Sequence, residues 1–155
     1  MTAALQVNDA QKSRHIADGL IKEFPNSPYA DQAQLTIARM DVESGRDADA
    51  VAPLTQVMNN SKDSELKQIA RLRLARVLID QGKPDDAIKL LAAGSPGSFA
   101  GRYHEVHGDA LVAKKDIPGA VAEYNAALAA GDAGADAAVL ELKLADLAPN
   151  EKAKP

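Results

Sequence analysis

Residues 64–91 read SELKQIARLRLARVLIDQGKPDDAIKLL. At helical spacing Leu66, Ile69, Ala70, Leu72, Leu74, Ala75, Val77, Leu78 and Ile79 are more apolar residues than one narrow stripe holds. Such a helix needs neighbours on more than one side. Gly82 stops it, and Pro84-Asp85-Asp86 opens a second helix. Proline suits a first helical turn, and acids there meet the positive end of the dipole. Ala87, Ile88, Leu90 and Leu91 then face back toward the first helix. The stretch predicts an antiparallel helix pair joined by a short turn.

The pair recurs. With Ala75 set on Gly108, Leu78 falls on Leu111, Gly82 on Lys115, Ala87 on Ala120 and Leu91 on Tyr124. The offset, residue 75 to residue 108, is within a residue of the ~34 of a tetratricopeptide (TPR) repeat. Upstream, Ala38, Gly45 and Ala50 match Ala75, Gly82 and Ala87 at a longer offset, so that connection holds extra residues. Ala or Gly in each first helix lets the second approach closely, and Ala at the facing position completes the contact. The expected fold class is all-α, a TPR-like α-solenoid of about three helix pairs with an extra N-terminal helix and a C-terminal capping helix.

Working outward, residues 1–8 are expected to fray and residues 9–148 to form the helical domain. A first helix spans Asp9 to Glu23 and stops at FPNSP, since Pro25 and Pro28 do not sit in a helix interior. The next runs from Tyr29 to Ser44, and Asp47 is the expected N-cap of its partner. Pro53 predicts a kink in that partner, or a helix beginning nearer Val51. Phe99–Lys114, then Asp116 or Pro118 to Ala130, make the third pair. A closing helix, Ala137–Leu147, follows the GDAGAD turn and buries Leu140, Leu144 and Leu147. The tail 149–155, ending PNEKAKP, is expected to be disordered.

Composition limits the function. At 155 residues, 46% hydrophobic but only 3% aromatic with no Trp, small and aliphatic side chains must make the helix contacts. A net charge of −4 and a pI near 5.3 argue against general nucleic-acid binding. The local basic cluster Arg71, Arg73 and Arg76 reads as a solvated helix face. No cysteine is present, so disulfide and thiol chemistry are excluded. No apolar run approaches the ~20 residues of a membrane span, and the start lacks the h-region of a secretion signal.

Catalytic patterns are weak. His104 and His107 stand three apart on one helix, but zinc wants three or four ligands and no Cys is available. The rival reading of a metal-dependent hydrolase there has little else behind it, and no metal or cofactor is expected. No G-x-S-x-G occurs, and GSPGSFAG lacks the Lys and preceding strand of a phosphate loop. Asp85, Asp86, Glu105 and Asp109 read as cap or solvent-face residues. A binding surface remains, with a protein or unfolded polypeptide as its partner. In TPR geometry the first helix of each pair lines a groove. That aims Gln32, Leu35, Arg39, Val42 and Glu43, then Ile69, Leu72, Arg76 and Ile79, then Arg102, Glu105, Asp109 and Val112 inward. The competing expectation is that an end helix fills the groove. Lys and Asn of the carboxylate-clamp type are absent from these sites.

LRLARVLIDQGKPDDAIKLL and FAGRYHEVHGDALVAKKDIPGA resemble the YfgM family, ancillary subunits of the bacterial SecYEG translocon. Leu72–Val77 and Arg102–Ala120 carry the likeness, which spans roughly Tyr29 to Leu147. It implies a periplasmic TPR-like domain, anchored to the inner membrane in the full-length protein by one transmembrane helix. It implies contact with SecYEG and with a PpiD-type chaperone. No anchor lies in this sequence, so the expectation is the soluble domain alone. FPNSPYADQAQL is similar to periplasmic TPR proteins of outer-membrane assembly and Tol–Pal-linked division, and suggests a generic envelope adaptor as the alternative.

Overall fold

The computed structural model describes residues 2–131 and 136–148, with the side chains of the first helix from Asp9 onward. Among the described residues there are eight α-helices and no strand. They are α1 (Thr2–Glu23), α2 (Pro28–Glu43), α3 (Asp47–Asn60), α4 (Ser64–Asp80), α5 (Pro84–Ala92), α6 (Ala100–Ala113), α7 (Ile117–Ala130) and α8 (Ala137–Leu147). The fold class is all-α and TPR-like. Helix α1 is already helical at Thr2, ahead of the Asp9 start that the weak early residues suggested. The turn at 132–135 and the tail at 149–155 lie outside the described residues.

The chain forms two compact units, Met1–Gln81 and Gly82–Pro155. In the first, α1 packs on α2 through Ala17, Ala33 and Ile37, with Leu20 and Ile21 at the margin. Ala38, Ala50, Leu54 and Val57 are almost wholly buried where α2, α3 and α4 pack. Alanine at 38 and 50 keeps helix axes close, in the ~8–10 Å range that small contact residues allow. In the second unit, Ala120, Tyr124, Ala127 and Leu140 form a core of α7 and α8, against which Leu111, Val112, Leu144 and Leu147 lean.

Caps follow the residue types. Ser27 accepts the N–H of Ala30, Asp63 those of Glu65 and Leu66, Asp116 that of Gly119, and Asp136 those of Ala138 and Val139. Helix α3 departs from expectation in two ways. Its N-cap is Arg46, without a side-chain cap bond, and Asp47 sits in the first turn, where its charge favours the dipole instead. Pro53 lies buried inside the helix, which begins at Asp47 and not near Val51.

Candidate functional site

The residues expected to line a groove divide between the two units. In the first, α2 and α4 present adjoining depressions. One of about 380 Å³ has Ala38, Leu54 and Val77 beneath Val42, with Arg39, Glu43, Arg73, Arg76 and Asp80 around it. The other, about 190 Å³, is lined by Gln32, Leu35, Thr36, Arg39, Leu66, Ile69 and Arg73. Val42 is 38% exposed, a β-branched apolar side chain left facing water. Arg39 and Glu43 form an exposed i,i+4 ion pair at 3.7 Å, worth little on its own. Arg73 Nη1 donates to the Leu35 carbonyl at 3.5 Å, reaching from α4 across to α2.

Not every expected residue lies at this surface. Leu72 is buried and lines neither depression; it is core. Leu35 is equally buried and contributes only to the floor. Ile79 is half-buried and lines neither depression. Arg73, which sequence reading placed on a solvated face, is exposed and also borders both depressions. Its position one turn before Val77 on α4 was the available signal.

The second unit is arranged differently. Lys143 of α8 reaches α6 and donates to Glu105 at 2.9 Å and to Asp109 at 2.7 and 3.0 Å. The Tyr124 hydroxyl of α7 donates to Asp109 at 2.7 Å, and Lys143 Nζ lies 5.4 Å from the Tyr124 ring centre. Burial, then the hydrogen bond to anionic Asp109, pushes the Tyr124 phenol well above its usual range. Val112 packs against the α7–α8 core. Glu105 and Asp109 are therefore half-buried members of a network, not the solvent-face residues their spacing suggested. Lys143 thus links α8 to the Glu105 and Asp109 side of α6. Arg102 is half-buried and has an interaction of its own.

His104 and His107 each point Nδ1 at one carboxylate, Glu123 of α7, at 2.8 and 3.2 Å. They tie α6 to α7. Among the described residues no group of three or more His, Cys, Asp or Glu is arranged to hold a metal ion.

One buried charge cluster was missed. Asp41 is fully buried and accepts from Arg14 of α1 and, at 2.8 Å, from Arg46 after α2. Burial opposes its charge, but the hydrogen bonds to Arg14 and Arg46 outweigh it and hold the carboxyl below its usual range. The signal was an acid in the apolar register of Ile37 and Ala38.

Successive helices that pack through buried alanines define a helical repeat protein. Residues 1–149 match the tetratricopeptide repeat-like domain, and the chain belongs to that family. Within it, the chain is similar to proteins named ancillary SecYEG translocon subunit. It is 33% identical over 109 residues to that of Neisseria gonorrhoeae, covering 70% of this chain and 52% of the relative. The figures are 31% over 114 residues for Haemophilus influenzae (71% and 56%) and 29% over 119 for Escherichia coli (77% and 58%). The chain thus spans about half the length of the curated relatives it matches. No solved structure matches it significantly. Among the described residues no helix is long and apolar enough to cross a membrane.

Proposed function

We propose that this chain is a non-catalytic protein-interaction domain that works beside the SecYEG translocon. Its partner polypeptide is received on the α2–α4 face of the first unit. The observation that carries this is the 380 Å³ depression, apolar at Ala38, Leu54 and Val77 and edged by Arg39, Arg76 and Asp80. Concave sites of this kind take apolar side chains while a polar rim fixes register. The names of the relatives supply the setting. In the finer form of the proposal the domain lies in the periplasm, held to the inner membrane by an anchor outside this sequence. There it contacts SecYEG and a PpiD-type chaperone.

A photoreactive amino acid at Val42 or Arg76 tests this in SecYEG proteoliposomes, with and without the chaperone. The expected result is crosslinking to a translocon subunit or the chaperone from these positions, and none from exposed Ala52 on α3. Capture from Ala52 alone would remove the α2–α4 face from the account.

A further inference from the structure

Helix α8 is apolar on both of its sides. The inner side is fixed: Leu140 is fully buried, Leu144 and Leu147 lean on the same core, and Lys143 reaches across to α6. On the outer side Ala138, Leu142 and Ala145, at i, i+4 and i+7, form a second apolar stripe with Val139 at its margin. All four are exposed, Leu142 by 63% and Val139 by 41%. A helix that meets water along one side carries polar residues there, whereas apolar residues all round belong to a helix covered all round. The sequence of α8 is of the second kind.

Two carboxylates border the outer stripe. Glu141 lies one turn from Ala138 and Ala145, and Asp146 one turn from Leu142, so each edge carries an acid. Both are exposed, and neither makes an ion pair or side-chain hydrogen bond with any described residue. Lys143, the one cation of α8, is engaged with Glu105 and Asp109 on the inner side. The outer face is therefore apolar along its middle and anionic along both edges. That charge selects among occupants. A second copy would set these carboxylates against their own kind, and an anionic lipid surface would repel them. An amphipathic helix with Lys or Arg on both sides of its apolar stripe pairs them instead.

We propose that the outer face of α8 is a docking surface for a basic amphipathic helix of a partner protein. The 11 residues of α8 are about 16 Å long, so about three turns of the partner make contact. Ala138 and Ala145 let the two helices approach closely, and Leu142 seats between the partner's apolar side chains. Glu141 and Asp146 meet its flanking cations and reject acidic helices. The surface lies in the second unit and is independent of the α2–α4 face.

The probe is a fluorescein-labelled peptide of two Leu-Lys-Lys-Leu-Ala-Lys-Lys repeats, compared with one in which every Lys is Glu. Both are titrated against the chain by anisotropy at about 0.15 M salt, where attraction to distant charge is screened. All substituted positions are exposed, and melting temperatures verify that the variants fold. The basic peptide is expected to bind about tenfold tighter than the acidic one. Glu141→Lys with Asp146→Lys should reverse that preference, while Glu23→Lys with Glu65→Lys, an equal change of net charge in the first unit, should leave it within about twofold. Leu142→Ser should weaken the basic peptide about tenfold. No preference for the basic peptide, an equal effect of the two charge reversals, or no loss on Leu142→Ser would overturn the proposal. A dimer of the chain, seen by sedimentation and dissolved by Leu142→Ser, would give the surface to a second copy and overturn it too.

Discussion

Lys115 has φ +64°, in the position that Gly45 (+70°) and Gly82 (+73°) occupy in the preceding repeats. The cap is the same: Lys115 N–H donates to Val112 and Asp116 N–H to Leu111, as Gly45 does to Val42 and Arg46 to Asp41. A side chain in the left-handed region is strained where glycine is not. Lys115→Gly should therefore stabilise the chain by about 0.5–1 kcal/mol, read as a rise in melting temperature. Gly108 shows the opposite constraint. A Cβ there would lie 2.5 Å from Tyr124 Cε1, and Tyr124 is held by Asp109 and Lys143. Gly108→Ala should cost about 1–3 kcal/mol in chemical denaturation. Ala75, fully buried, should lose a similar amount, about 1–3 kcal/mol, on overpacking to Leu.

Between elements, two charge clusters do what small apolar contacts cannot. Arg14, Asp41 and Arg46 pin α1 and the end of α2 together. Asp41 titrates below the ordinary carboxyl value of 3.8, so its stabilisation is complete above that value and is lost as pH falls through its lower folded value. Asp41→Asn should cost about 2 kcal/mol at neutral pH. That difference should shrink when denaturation is repeated at progressively lower pH below 3.8; a constant difference would mean the charge is irrelevant. Lys143 fastens α8 across Glu105 and Asp109. Lys143→Ala leaves two adjacent carboxylates without it and should cost about 1–2 kcal/mol. Hydrogen exchange should report it as lost protection in α8 and neighbouring turns of α7.

Within each unit, among the described residues, the most extensive contacts lie between helices adjacent in sequence. Stability of such a molecule is a sum of local terms, and damage stays local. Gly108→Ala should accelerate exchange in α6–α8 more than in α2 and α3, and an equal effect throughout would show one all-or-none unit.

The number of helices among the described residues and the buried small residues were legible because a repeat writes its packing into local spacing. Ala38, Ala50, Ala75, Ala87, Gly108 and Ala120 are all buried, as their alignment required. The candidate site was legible only in part: Arg39, Val42, Ile69 and Arg76 border the depressions, while Leu72 went to the core. Helical period places a residue on a side of its helix, but not the depth at which a neighbouring helix covers it. For the same reason spacing could not show Lys143 crossing to Glu105 and Asp109, or Arg14 finding Asp41. Those pairs join residues 27 to 38 positions apart, and only packed helices bring them within hydrogen-bond reach.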